Sequence, residues 1–289
     1  MLTFHGLRTD EDSAEALDES LHLPLSVFRQ ICAHLKARYE VLPLIEMVRL
    51  LKAGKTLPAK ALAITFDDGL KSNYQLGFPV LKEFGLPATI FLTTGFLDGQ
   101  HRLWFQELDR VFKARGAASA ELSLMLKECK TLPDAEMRAR VQALTAGCDS
   151  SQPELALPMT WDHVAEMRGS GLIDFGGHTH THPILSRCSP DQQSQEIRMC
   201  RDRLQEQLGE APPLFAYTNG SADDFTADTQ RLLAEHGFEA AFTMIPGRLC
   251  PGQNWFGLPR YGNPTSVLEA EATASGAFEL LKQWRGGAA

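Results

Sequence analysis

The stretch that most restricts the fold is residues 61–69, Ala-Leu-Ala-Ile-Thr-Phe-Asp-Asp-Gly. The uncharged run from Ala61 to Phe66 predicts a strand covered on both faces, as in a parallel sheet, because a half-solvated strand would alternate apolar with polar residues. The run ends in two adjacent carboxylates. Successive strand side chains point opposite ways, so Asp67 and Asp68 can serve one site only if the backbone turns there, and Gly69 permits such a turn. An isolated Asp-Asp-Gly also fits a plain strand end whose Asp caps the next helix. The remaining chain decides between the two.

Further apolar runs at Leu2 to Phe4, Pro87 to Thr94, Leu172 to Phe175, Leu214 to Tyr217, Ala240 to Met244 and Phe256 to Tyr261 read as strands. Between them apolar residues recur at helical spacing: from Pro24 to Leu35, Leu44 to Lys52, Leu76 to Phe84, Thr160 to Arg168, Ser189 to Leu208, Ala227 to Glu235 and Val267 to Trp284. Thr160 and Ser189 are placed as N-caps, with His163 exposed, and the acidic stretch from Thr9 to Ser20 as a surface loop. Residues 98–158 change composition to Ala, Leu, Glu, Lys and Arg, punctuated by Gly116, Pro133, Gly147 and Pro153, and predict a helical insertion of two or three segments. Strands alternating with helices imply an α/β fold. An irregular (β/α)7 barrel with a helical insertion fits best, with a doubly wound open sheet as the alternative. In either, the loops after the strands carry the site, and the polar clusters at His5-Gly6, Asp67-Asp68-Gly69, His178 to His182 and Tyr217 to Gly220 all fall there.

Three histidines within residues 178–182 point to a metal, since ligating imidazoles must converge on one ion at about 2.0–2.1 Å. Extended backbone would hold His178 and His182 roughly 13 Å apart. A single helical turn brings them onto one face and turns His180 away, so the convergent pair is His178 and His182. With one carboxylate from the Asp-Asp pair they make a His₂Asp set with an open coordination position, suited to one divalent ion, zinc above others. The competing reading is a polar loop with capping and packed histidines.

The chain resembles the NodB-homology polysaccharide deacetylases, also called carbohydrate esterase family 4. The resemblance spans nearly the whole chain as one catalytic domain, residues 1–289, from Leu-Thr-Phe-His-Gly through Thr-Phe-Asp-Asp-Gly (65–69) and His-Thr-His-Thr-His-Pro (178–183) to Phe-Ala-Tyr-Thr-Asn-Gly (215–220) and Leu-Pro-Arg-Tyr (258–261). It implies that Asp68, His178 and His182 bind the metal and that Asp67 is the general base for attack on an N-acetyl carbonyl. Two departures stand out. Many relatives carry an arginine, a proline and a tyrosine where this chain has Ala216, Thr218 and Asn219, so the motif resembles the Phe-x-Tyr-Pro-x-Gly variant with Thr218 in place of its proline. Arg260 is then expected to supply the charge that orients Asp67, and the N–H of Asn219 to serve the oxyanion. Relatives also commonly keep a catalytic histidine near the C-terminus, but none follows His236 here. In a closed barrel the first strand lies beside the last, so His5 is read as the general acid, with a packed, hydrogen-bonded histidine as the alternative.

A formal charge of −8 without a basic stretch excludes a phosphate-tracking surface, so the expected partner is an N-acetylated glycan and not nucleic acid. Six scattered cysteines without a Cys-x-x-Cys pair read as reduced thiols. No run reaches membrane-spanning length and no leader is visible, which reads as cytoplasmic, although a chain trimmed of its leader would look the same. The expected activity is metal-dependent removal of N-acetyl groups from amino sugars in an oligo- or polysaccharide. A non-catalytic carbohydrate-binding barrel and a metal amidase acting on a small cyclic amide or formyl-amide are the alternatives.

Overall fold

The structure is a computed structural model and describes residues 1–11, 21–149 and 151–277. The chain opens with β1 (Leu2–Phe4), β2 (Gly6–Arg8), β3 (His22–Pro24), α1 (Leu25–Arg38), β4 (Glu40–Val41) and α2 (Leu44–Lys52). Next come β5 (Ala61–Leu62), β6 (Ile64–Phe66), a wide helical turn over Asn73–Gly77, α3 (Phe78–Phe84), β7 (Ala88–Leu92) and α4 (Thr94–Leu97). The insertion supplies α5 (Trp104–Ala114), α6 (Ser119–Cys129) and α7 (Asp134–Thr145). The remainder is α8 (Trp161–Gly169), β8 (Ile173–Gly177), α9 (Pro190–Leu208), β9 (Leu214–Ala216), α10 (Ala227–Glu235), β10 (Ala240–Phe242) and α11 (Val267–Ala274).

Six strands form one parallel sheet in the order β1-β6-β7-β8-β9-β10. Its two outer strands are joined by the segment that the sequence marks as a seventh strand. That segment is not a strand: it touches β10 through a bridge of Phe242 with Leu258 and β1 through a bridge of Leu2 with Tyr261. Pro259, between the two contacts, has no N–H to give to a ladder, which explains why apolar residues here yield two bridges and no strand. The sheet thus curls into a (β/α)7-type barrel. A second difference lies at residues 61–66, where the single expected strand is two: Ala61–Leu62 pairs with β4, and Ile64–Phe66 enters the main sheet.

Alternation along the strands sorts the core into two layers. Leu2, Phe4, Ile64, Phe66, Ile90 and Leu92 lie in one cluster with Phe28, Ile31 and Leu35 of α1 and Val80 and Leu81 of α3. Within it the rings of Phe4, Phe28 and Phe66 meet at centroid separations of 5.3, 5.5 and 5.7 Å, contacts that each add about 0.5–1.5 kcal/mol beyond burial. Ala63, Phe91, Leu214, Ala216, Ala240, Phe242 and Leu258 form the inner cluster, which Leu44, Met47 and Val48 of α2 join. On the same inward side Thr3 and Thr65 share a hydroxyl hydrogen bond of 3.0 Å.

Helix ends follow local chemistry. Gly85 stops α3 at φ 60°, a left-handed position that glycine adopts without a Cβ clash. Thr160 and Ser189 cap α8 and α9 as expected, each in a reciprocal capping box, with His163 and Gln192 as the second members. His163 is therefore not a free surface residue; it is half-buried and stacks on Tyr74 at 3.9 Å. The insertion has a core of its own, Trp104, Leu108, Phe112, Cys129, Met137 and Val141. The six cysteines are free thiols, and no helix among the described residues is long and apolar enough to cross a membrane. The loop expected over 9–20 falls mostly, and the end of the terminal helix expected to Trp284 wholly, outside the described residues.

Candidate active site

All six sheet strands run parallel, so their C-terminal ends deliver His5, Asp67-Asp68, Thr93, His178, Tyr217 and Thr243 to one mouth of the barrel. The turn that brings both carboxylates there is made by Asp68 itself, at φ 75°, followed by Gly69 at φ 86°. A left-handed Asp is uncommon but tolerated. Asp67 and Asp68 are each 2% exposed, so neither is an ordinary solvated helix cap.

The structure brings His178 and His182 together with Asp68, but not by the helical turn expected. Residues 178–182 form an irregular loop with Thr179 at φ 63° and His182 at φ 60°. Two left-handed residues fold the chain back, and the Thr179 hydroxyl accepts the His182 N–H at 3.0 Å. Asp68 Oδ1 lies 3.5 Å from His178 Nε2 and 3.2 Å from His182 Nε2. One ligand atom from each of these three buried residues falls within 4.8 Å of the others. His180 points elsewhere, its Nδ1 2.9 Å from the Thr94 hydroxyl and its ring edge-on to His101.

Whether this set fits a metal ion turns on which nitrogens are free. His178 Nδ1 lies 2.8 Å from the carbonyl oxygen of Ala216, which can only accept, so Nδ1 carries a proton and Nε2 is the nitrogen that faces Asp68. Two imidazole nitrogens and one carboxylate oxygen, buried and mutually close, are the donor set of an open divalent site. Burial opposes ionisation of Asp68, yet hydrogen bonds from His178 and His182 hold its carboxyl well below the usual carboxylate range. Burial pulls both imidazoles down. His178, flanked by Asp68 and Asp67, still ends above the ordinary histidine value, whereas His182 ends below it. The neutral form that ligation requires is thus favoured at His182.

Asp67 is held differently. Arg260, fully buried, meets it through two parallel hydrogen bonds, Nη1 to Oδ1 and Nη2 to Oδ2, both 2.8 Å. The guanidinium is itself oriented by the Thr243 carbonyl at 3.2 Å and the Thr65 hydroxyl at 3.3 Å, and lies over the Phe91 ring. Burial pushes the Asp67 carboxyl up, but Arg260, with His178 and His5, outweighs it and keeps the group below the usual range. Asp67 is therefore an ionised, fixed carboxylate beside Asp68, His178 and His182.

Asp67, Asp68, His178 and His182 line a cavity of about 260 Å³ together with His5, Trp104, Phe105, Lys130, Tyr217, Asn219 and Met244. Lys130 and Asn219 are exposed, so the cleft opens to solvent. His5 is half-buried, and its Nδ1 has no hydrogen-bond partner among the described residues. Asn219 sits at φ 62°; its side chain donates to Asp224 at 2.6 Å, while its N–H has no partner among the described residues. Trp104, Phe105, Leu126 and Lys130 come from the insertion, so this segment is one wall of the site, and Phe105 packs on the His182 ring at 5.3 Å.

Residues 54–241 match the profile of the family described as polysaccharide deacetylase, about two thirds of the chain. The chain belongs to the polysaccharide deacetylase family. Among curated proteins, a poly-beta-1,6-N-acetyl-D-glucosamine N-deacetylase of Staphylococcus epidermidis is 23% identical over 254 residues, 85% of this chain and 65% of the relative. The family member described here thus spans just under two thirds of that relative's length. Among solved structures, Streptococcus pyogenes deacetylase PplD, in complex with acetate, shares the fold with a TM-score of 0.68 at 22% identity, covering 94% of this chain and 96% of that one. IcaB from Ammonifex degensii does so with 0.65 at 20% identity, covering 94% and 95%.

Two contributors to the site carry no sequence signal of the motif kind. Glu196 on α9 and Arg138 on α7 both bond the histidine loop. Arg138 lies 43 residues from Thr181 and Glu196 lies 16 from His180, and the fold brings both to the loop.

Proposed function

We propose that this family member is a metal-dependent hydrolase that removes acetyl groups from N-acetylated amino sugars within an oligo- or polysaccharide. The observation that carries the reading is the division of labour between the two adjacent carboxylates: Asp68 faces two imidazoles and Asp67 is clamped by Arg260. Asp68, His178 and His182 would hold one divalent ion, with zinc the best match to two imidazoles and a carboxylate. When bound, such an ion acts as a Lewis acid toward an amide carbonyl and acidifies water.

The chain's own groups supply the rest. Asp67, ionised and immobilised by Arg260, accepts a proton from the attacking water. The N–H of Asn219 is free to donate to the developing oxyanion. His5, in the same cavity with an unpartnered Nδ1, donates a proton to the departing amine. A solvent-open cleft walled by Trp104, Phe105 and Tyr217 suits a sugar chain better than the closed pocket that a small cyclic amide would need. The third motif reads as a Phe-x-Tyr-x-x-Gly version in which Arg260 takes over the charge that other members place within the motif.

The test is acetate release from a panel of N-acetylated oligosaccharides by protein treated with chelator and then reloaded with zinc. Release that disappears with chelation, returns with zinc and is lost in Asp67→Asn supports the reading. Metal-loaded protein that binds these glycans and releases no acetate would replace it with a non-catalytic binding barrel.

A further inference from the structure

The histidine loop is built against its own backbone preferences. Thr179 is β-branched and His182 is not glycine, yet both occupy the left-handed region, at φ 63° and 60°. Such a loop persists only where its surroundings fix it. One edge is fixed by backbone from the start of α4: Thr94 N–H donates to Thr179 O at 3.3 Å and Gly95 N–H to His180 O at 2.8 Å. Gly95 has to be glycine here, since a Cβ would stand 2.8 Å from that same carbonyl oxygen.

The other edge is held by side chains from two helices, α9 and α7. One carboxylate oxygen of Glu196, Oε2, accepts two successive N–H groups, His180 at 2.9 Å and Thr181 at 2.8 Å, and Oε1 accepts the Thr181 hydroxyl at 2.7 Å. From the insertion, Arg138 Nη2 donates to the Thr181 hydroxyl at 2.8 Å and to its carbonyl at 3.1 Å, while Asp134 fixes Arg138 at 2.7 Å. Thr181 is thus gripped between an anion from α9 and a cation from α7, immediately before the ligand candidate His182. Neither Glu196 nor Arg138 lines the cavity that holds Asp67; both face a separate cleft of about 290 Å³ behind the loop. They touch no reacting atom, so whatever they do is done through the loop.

We propose that Glu196 is a positioning residue that sets the convergence of His178 and His182, and that the insertion takes part in it through Arg138 and Thr181. The inference rests on the reading of Asp68, His178 and His182 as a divalent site. It predicts that loosening the clamp weakens metal retention before it changes substrate binding, because the carboxylate orders a ligand-bearing loop and not the substrate wall.

The experiment is a zinc titration against a chromophoric chelator on chelator-stripped full-length protein: wild type, Glu196→Ala, Glu196→Gln and Arg138→Ala. Glu196→Ala is expected to weaken zinc binding about 10–100-fold, with Glu196→Gln closer to wild type because its amide oxygen still accepts the two N–H groups. With zinc in excess, KM should stay near wild type. Zinc affinity in Glu196→Ala within about twofold of wild type overturns the proposal, whatever its melting temperature. Should Glu196→Ala fail to fold, zinc affinity in Arg138→Ala within about twofold of wild type overturns it equally. A wild type that binds no zinc removes the metal site itself and this inference with it, whereas a wild type that binds while the variants match it sinks the inference alone.

Discussion

Replacing Arg260 by leucine tests how the base is set. The guanidinium is fully buried and makes four hydrogen bonds, two of them to a carboxylate that is itself 2% exposed. Arg260→Leu leaves the Asp67 charge buried without its partner, a change that costs about 3–5 kcal/mol. At about 2–4 °C per kcal/mol for a chain somewhat smaller than this one, the melting temperature should fall by roughly 6–20 °C. The sign of the pH dependence follows from Asp67. Its carboxyl lies below the usual range in the folded protein, so the stability it contributes is present above the ordinary carboxylate pKa and is lost as pH falls through the folded value. In Arg260→Leu burial is no longer outweighed and the folded pKa moves up. The variant then escapes its penalty by protonating Asp67, and the gap from wild type should be widest near neutral pH and shrink toward pH 4, about the ordinary carboxylate value. The assay is a series of thermal melts of chelator-treated wild type, Arg260→Leu, Asp67→Asn and the double variant across that range, with activity measured alongside. Catalysis should drop roughly 10²–10⁴-fold as the base is lost. A loss of under 3 °C, or single-variant losses that simply add in the double variant, would refute the claim that the two groups form one buried unit (about 1 kcal/mol or less on the same scale).

The remaining expectations concern the ligands and the acid. His178→Ala and His182→Ala should each lose bound zinc as measured by metal analysis, whereas His180→Ala, whose ring rests on Thr94 and His101, should keep it. Asp67→Asn should keep the metal and lose activity roughly 10²–10⁴-fold, while Asp68→Asn should lose the metal; equal metal loss in both would reverse the assignment of base and ligand. His5→Ala should fold and retain zinc, cut the catalytic rate sharply and remove the alkaline limb of the pH-rate profile; near-normal rates with that limb intact would take the acid role away from His5.

Much of the barrel is legible because its signals are local. The apolar runs at Ile64–Phe66 and Ala88–Leu92 are short, uncharged and followed by polar residues, and the capping residues Thr160 and Ser189 announce their helices. The pairing of His178 with His182 is named by the sequence through a helical turn that the loop does not form, so the pair agrees while the geometry behind it does not. How they converge is not readable: left-handed Thr179 and His182 oppose the preferences of those residue types and exist because contacts from α4, α7 and α9 over-determine them. The position of Arg260 came only through family resemblance, since nothing local to Leu-Pro-Arg-Tyr signals a partner nearly two hundred residues away. The strand assigned to Phe256 to Tyr261 failed because apolar content alone cannot show that Pro259 interrupts the ladder.

That interrupted ladder gives the barrel a seam. From β1 through β6 and β7 to β8, and again from β9 to β10, the strands are stitched by continuous registers; β8 and β9 share one pair, Gly177 with Phe215, and between β10 and β1 the closure rests on contacts at Leu258 and Tyr261, with Arg260 carried between them. Segments joined by few backbone bonds open first, well below the free energy of global unfolding. Opening at the seam would withdraw the guanidinium from Asp67 while leaving Asp68, His178 and His182 on the intact side of the wall. Under the proposed function, warming should therefore abolish acetate release before the fold melts, in zinc-loaded protein that still retains its zinc, and the amides of Leu258 and Tyr261 should exchange with solvent ahead of those in β6 and β7.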